Sequence, residues 1–120
     1  MKSLRILLME DDAVIGMLLA ELLEVMGHEV CAIETSEADA VAAAVRSSPD
    51  LMIVDVWLSD GSGVSAVDEI LRTTPVPHVF VSGDPTPVQT LRPDAVVIQK
   101  PFRERDLAQA IQRALGAAPM

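Results

Sequence analysis

The sequence predicts an α/β fold: a doubly wound parallel sheet with a helix after each strand. Three observations carry this expectation. Strand-like and helix-like hydrophobic patterns alternate from one end of the chain to the other. The strand runs are almost continuously apolar, as strands covered on both faces must be. Carboxylates, a serine and a lysine recur at the places where those runs stop.

The elements follow in order. RILLM, from Arg5 to Met9, is a short apolar strand. Asp12 to Met26 has helical spacing. Asp12 is placed to cap free amides of the first turn, and Gly27 to stop the helix. His28 to Glu34 reads as the second strand. Ser36 to Ser47 is an alanine-rich helix, with Ser36 and Asp39 in a capping-box pattern. Pro49-Asp50 makes a turn. Leu51 to Val54, LMIV, is the most apolar strand. Gly63 to Thr73 is helical and is closed by TPVP. His78 to Ser82 and Val96 to Gln99 are the fourth and fifth strands. Between them lies GDPTPVQTLRPD, rich in proline. Asp84 caps a helix whose first position is Pro85, and Pro93 ends it after about two turns. The fourth helix is therefore expected to be short or irregular. Arg103 to Leu115 is the last helix, ended by Gly116.

Right-handed crossovers leave few ways to connect such units. The expected result is a flavodoxin-like (βα)5 sheet with strand order 2-1-3-4-5. Ligands of such sheets bind at the carboxyl ends of the strands, where the order switches between strands one and three. With no repeat, low-complexity tract or linker, residues 1–120 read as a single domain with no output domain.

Composition narrows the function. Half of the chain is apolar, but its aromatics are only Trp57, Phe80 and Phe102, so the core must be aliphatic. Acidic residues outnumber basic ones, 18 to 9, for a net charge of -9. That balance opposes binding to nucleic acid or to an anionic membrane. The lone Cys31 suggests a buried structural thiol in a reducing compartment. No signal peptide is visible, and the longest apolar run, Ala13 to Ala20, is too short to span a bilayer. A cytoplasmic location is expected. His28 and His78 have no partners at metal-ligand spacing and read as structural.

On the predicted frame the polar residues converge. The first strand ends in Glu10-Asp11-Asp12, the third in Asp55, the fourth in Ser82-Gly83, and the fifth in Gln99-Lys100-Pro101. The order 2-1-3 sets Glu10 and Asp11 beside Asp55. Clustered carboxylates repel unless a cation neutralises them. Oxygen-only ligands suit a hard divalent ion, Mg²⁺ or Mn²⁺. A hydroxyl and an ammonium on the neighbouring strands would complete a pocket for a phosphoryl group, with Asp55 placed to attack phosphorus. Asp12 by itself reads as a helix cap, and Asp60 in SDGSG as a turn residue.

The motifs LLMEDD, IVDVWLSDGSG, VFVSG and IQKPF, in this order and spacing, resemble the bacterial response-regulator receiver domain. The resemblance runs from about Leu4 to Leu115. It implies that Asp55 is the phosphoacceptor and Asp11 a direct metal ligand, with Glu10 acting through water. It also implies that the backbone carbonyl of Trp57 completes the metal shell, that the Ser82 hydroxyl reorients toward the phosphoryl group, and that Lys100 pairs with that group. The peptide between Lys100 and Pro101 is expected to be cis. The implied donor is a histidine kinase or histidine phosphotransferase. Its histidine-bearing helices would meet helix one and the loop after strand five, making Ile15, Met17, Phe102 and Arg103 partner-binding residues.

Two departures from the pattern concern output. Val97 stands where the family often has an aromatic switch ring, and Ser59 where a proline is usual. PHVFVSG resembles a signature of an alphaproteobacterial receiver subgroup that lacks the aromatic switch. In helix one, Ile15, Leu18, Leu19, Leu22 and Met26 are expected to face the core. Val14, Met17 and Leu23 either widen that face or form a docking surface.

Three functions compete. The first is a phosphoacceptor module that also catalyses its own dephosphorylation, with the Trp57 ring shielding the phosphoryl group. The second is an aspartyl-nucleophile phosphatase, which resembles a pattern with a D-x-D nucleophile on the first strand. The third is a degenerate receiver that binds partners without phosphorylation. The complete set of Glu10, Asp11, Asp55, Ser82 and Lys100 favours the first. A flavin-binding module is disfavoured, since no Ser/Thr/Gly-rich phosphate loop follows the first strand.

Overall fold

LMIV followed by Asp55 forms the centre of the sheet, because a strand apolar at every position can only sit between two others under helices on both faces. A computed structural model of the chain describes residues 3–116. Residues 1, 2 and 117–120, which the single-domain expectation includes, lie outside the described residues. The strands are β1 (Arg5–Met9), β2 (Glu29–Glu34), β3 (Leu51–Asp55), β4 (His78–Ser82) and β5 (Val97–Gln99). All neighbours pair in parallel, in the order β2-β1-β3-β4-β5. The helices are α1 (Ala13–Val25), α2 (Glu37–Ser47), α3 (Gly63–Leu71), α4 (Thr86–Leu91) and α5 (Glu104–Gly116). No helix among the described residues is long and apolar enough to cross a membrane.

Strand side chains alternate between two faces. Ile6, Leu8, Leu51, Ile53, Val79 and Val81 pack with Leu19 and Leu23 of α1 and with Leu107, Ala110 and Ile111 of α5. Leu7, Met9, Met52, Val54 and Phe80 pack against Ala40 and Ala43 of α2, Val67 and Ile70 of α3, and Val88 of α4. Alanines in α2 let that helix lie close to the sheet.

Helix α1 corrects one expectation. Its buried seam is Gly16, Leu19 and Leu23, whereas Ile15 and Leu18 are 43% and 61% exposed. Leu22 and Met26 are half-buried at the edge of the seam. The reason is Gly16. A Cβ there would lie 3.2 Å from Ile33 Cγ2, so the glycine lets the helix approach β2 and rotates its buried face. A residue without a side chain carries no hydrophobic signal, so the stripe read from side chains alone placed Leu19, Leu22 and Met26 correctly but drew in Ile15 and Leu18. Val14 and Met17, 66% and 61% exposed, face outward with Leu18.

Caps behave as their chemistry requires. Asp12 Oδ1 accepts from the amides of Val14 and Ile15 at 2.9 and 3.1 Å. The Ser36 hydroxyl accepts from Asp39 N–H at 3.3 Å. Gly27, at φ +99°, takes the left-handed conformation that ends α1. Asp84 differs slightly from expectation. It accepts from Thr86 N–H at 3.2 Å, one position outside the helix, and Pro85 occupies the cap. Helix α4 is short, as its prolines imply. Val88 is its buried side chain, and Arg92 just beyond it pairs with Asp68 of α3.

His28 is buried, and its Nδ1 accepts from Leu4 N–H at 3.1 Å; burial lowers its pKa. His78 contacts Val76 O through Nδ1 at 2.9 Å and meets the Phe80 ring edge-on, so both histidines are structural. Cys31 is half-buried rather than buried, because β2 is an edge strand. Its Sγ reaches Ile6 O at 3.4 Å, beside the irregularity in the β1–β2 register.

Candidate functional site

Strand register assembles the site. Met9 pairs with Val54, so the next residues, Glu10 and Asp55, emerge side by side at the switch point. Asp55 also pairs with Val81, one residue before Ser82, and Ser82 pairs with Gln99, one residue before Lys100. One sheet edge therefore receives every predicted polar residue.

Carboxylate oxygens of Glu10, Asp11 and Asp55 lie within 4.8 Å of one another. Glu10 and Asp55 are buried, whereas Asp11 is exposed. Lys100 Nζ donates to Asp55 Oδ2 at 2.8 Å and to Glu10 Oε1 at 3.3 Å. Burial, and then the hydrogen bond shared with Asp55, push Glu10 from 4.5 up to about 7. Burial alone would lower the pKa of Lys100, but its bonds and charge contacts with Asp55 and Glu10 outweigh that and raise it. One ammonium among three carboxylates leaves the cluster short of positive charge. An oxygen-only donor set with a carboxyl held at about 7 fits a hard divalent cation.

The remaining predicted residues surround this cluster. Trp57 N–H donates to Asp55 Oδ1 at 3.0 Å, and the residue as a whole is 69% exposed. Ser82 is buried, but its hydroxyl is turned into its own loop. It donates to Asp84 O at 2.9 Å and accepts from Asp84 N–H at 3.1 Å. The Lys100-Pro101 peptide is cis, as expected. Asp12 is occupied as the α1 cap, and Asp60, expected in a turn, instead forms an isolated parallel bridge with Ser36 in the loop after β3.

Beside the acidic cluster runs an apolar groove of about 510 Å³ between α1 and the segment after β5. Ile15, Leu18, Leu22 and Phe102 line it. Of the other two residues expected to meet a partner, Met17 and Arg103 are exposed but do not line the groove. One residue escaped the sequence pattern. Glu37, at the start of α2, reaches across to the loop after Asp55. Its Oε1 accepts from Ser62 N–H at 3.1 Å and its Oε2 from the Ser65 hydroxyl at 2.7 Å. Partners this far apart in the chain leave no periodic signal.

A switch-point acid cluster with a lysine on the next strand but one defines a phosphoacceptor module on a flavodoxin-like sheet. The chain belongs to the response regulator receiver domain family, whose pattern it matches over residues 6–112. It is 38% identical over 114 residues to the phyllosphere-induced regulator PhyR of Methylorubrum extorquens, covering 92% of this chain and 43% of that protein. The solution NMR structure of the Erythrobacter litoralis PhyR receiver domain superposes with a TM-score of 0.88 at 29% identity, covering 98% of this chain and 94% of that one. The anti-anti-sigma factor PhyR from Bartonella quintana gives 0.86 at 26% identity, covering 97% and 49%. The chain thus spans less than half of the M. extorquens protein. These similarities accord with the alphaproteobacterial receiver subgroup expected from PHVFVSG. The receiver match also sets aside the aspartyl phosphatase and the flavin-binding module.

Proposed function

We propose that Asp55 accepts a phosphoryl group from the phosphohistidine of a histidine kinase or phosphotransferase. The observation that carries this is the buried Asp55 carboxylate at the switch point, 2.8 Å from Lys100 Nζ and within 4.8 Å of the Glu10 and Asp11 oxygens. Mg²⁺ or Mn²⁺ would be held by Asp11, Asp55 and the Trp57 backbone carbonyl, with Glu10 acting through water. The ion, when bound, offsets negative charge on the phosphoryl oxygens.

An Asp55 oxygen attacks phosphorus as the bond to the donor nitrogen breaks, leaving an acyl phosphate and a free imidazole. Lys100 holds the carboxylate in place and remains beside the incoming charge. Ser82 releases Asp84 and donates its hydroxyl to a phosphoryl oxygen. Water later attacks phosphorus and returns the free carboxylate and inorganic phosphate, and the Trp57 ring screens that approach. The apolar groove beside Asp55 supports docking of a histidine-bearing helix on α1. Likeness to a protein described as an anti-anti-sigma factor supports output through protein contacts.

The test is incubation with acetyl phosphate, followed by intact mass. With Mg²⁺ the protein should gain one phosphoryl group, which peptide mapping places on Asp55; with chelator it should gain none. No gain in the presence of Mg²⁺ would sink the proposal.

Metal binding should also follow the Glu10 proton. A carboxyl raised from 4.5 to about 7 binds more protons in the folded state than in the unfolded state. The metal-free protein therefore loses stability as pH rises through that window. Mg²⁺ must displace the same proton, so its affinity rises with pH up to about 7. We expect the gain in melting temperature with Mg²⁺ to be larger at pH 8 than at pH 6. An equal or reversed gain would show that Glu10 does not face the ion.

A further inference from the structure

The loop that follows Asp55 lies outside the five-stranded sheet, yet it is fastened at several points to the segment before α2, including an isolated parallel bridge between Asp60 and Ser36. Ser59 donates to Thr35 O from its amide at 3.1 Å and from its hydroxyl at 2.8 Å. Glu37 N–H donates to Asp60 O at 3.0 Å. The Glu37 carboxylate accepts from Ser62 N–H and from the Ser65 hydroxyl, using both oxygens. Gly61 makes room for this. It sits at φ +99°, and a Cβ there would lie 2.8 Å from Glu37 Cβ. The Ser65 and Ser62 bonds lower the pKa of Glu37, so it remains a charged acceptor at neutral pH.

These contacts lead to the site through Ser62 and Trp57. Ser62, held by Glu37, forms an isolated antiparallel bridge with Trp57, and Gly63 N–H donates to Val56 O at 2.9 Å. Trp57 N–H in turn donates to Asp55 Oδ1. The path runs from Glu37 through Ser62 to Trp57, whose carbonyl the proposed function assigns to the metal.

We propose that Glu37 is a positioning residue: it fixes the loop from Trp57 to Ser62 so that the Trp57 carbonyl is already in place when a divalent ion enters. This rests on the metal site proposed above. Removing the carboxylate frees the loop, and ordering it again must then be drawn from binding energy. Outer partners of metal ligands commonly alter affinity by about tenfold or more.

The experiment is Mg²⁺ titration of the full chain, followed by Trp57 fluorescence and amide NMR shifts, with urea unfolding alongside. Glu37→Ala should raise the Mg²⁺ Kd about tenfold. Glu37→Gln should stay close to wild type, because its amide can still accept from Ser62 and donate to the Ser65 oxygen. Ser65→Ala, which removes one of the two carboxylate bonds, should shift the Kd in the same direction by about threefold. It keeps the test available if Glu37→Ala does not fold. Unchanged affinity in Glu37→Ala and Ser65→Ala, with only a lower urea midpoint, would reduce Glu37 to a structural clip and overturn the proposal. An equal loss in Glu37→Gln would do the same. If wild type itself shows no Mg²⁺ response, the metal site falls and this inference falls with it; if wild type binds and Glu37→Ala binds equally, only this inference falls.

Discussion

Asp55→Asn is expected to abolish phosphoryl uptake from acetyl phosphate. The amide oxygen is a far weaker nucleophile than a carboxylate, and no acyl phosphate can form on it without loss of ammonia. The substitution also breaks the charged bond to Lys100 Nζ at 2.8 Å and removes an acidic ligand from the cluster. Fold and core should survive, since Asn has the same shape and β3 keeps its pairing. A second consequence separates loss of chemistry from loss of structure. Asp55 contributes to the raised pKa of Glu10 both by a hydrogen bond and by its charge. In Asp55→Asn the Glu10 pKa should therefore move down from about 7, as measured by NMR titration. Phosphoryl gain equal to wild type would remove Asp55 from its role. An unmoved Glu10 would mean that burial alone holds it.

Gly63→Ala is expected to cost about 3 kcal/mol of stability, at the upper end of what overpacking a rigid core produces. Gly63 opens α3 where the helix crosses the end of β3. A Cβ there would sit 2.5 Å from Val54 Cγ1, 3.0 Å from the Asp55 carbonyl carbon, and inside contact distance of the Asp55 carbonyl oxygen. Two of these atoms are backbone in a fully buried strand, so neither can swing aside. Helix α3 must lift off the sheet or Asp55 must move. Phosphorylation should fall along with stability, unlike in a variant at a distant core position. A urea midpoint close to that of wild type would show that the helix start can give way freely.

Most of the frame and the acidic cluster were legible in the sequence, for one physical reason. A parallel strand under two layers of helix must be apolar along its whole length, so LMIV announces both its burial and the place where burial ends. Asp55 is conspicuous because it breaks that run, and Glu10, Asp11, Ser82 and Lys100 stand at equivalent breaks. What escaped detection depends on the third dimension. Gly16 sets the rotation of α1, but a glycine has no hydropathy to read. Glu37 holds Ser62 and Ser65, whose distance along the chain hides the contact. The sequence places Ser82 at the site edge but does not show its resting partner. Its hydroxyl is bonded to the Asp84 backbone, an arrangement that depends on the path of one loop rather than on residue type.

The brevity of α4 has a thermodynamic consequence. Its span, Thr86–Leu91, is shorter than the length at which a helix recovers its nucleation cost, so the segment cannot be sustained by its own propensity. It persists through what it touches: Val88 in the core, the Asp68–Arg92 pair, and the loop that Ser82 ties through Asp84. A single hydroxyl at the carboxyl edge of β4 thus helps to fasten the loop that leads into this short segment. Withdrawing it toward a new acceptor would remove both Asp84 bonds at once. The segment would then rest on Val88 and the Asp68–Arg92 pair alone, so its folded population would fall.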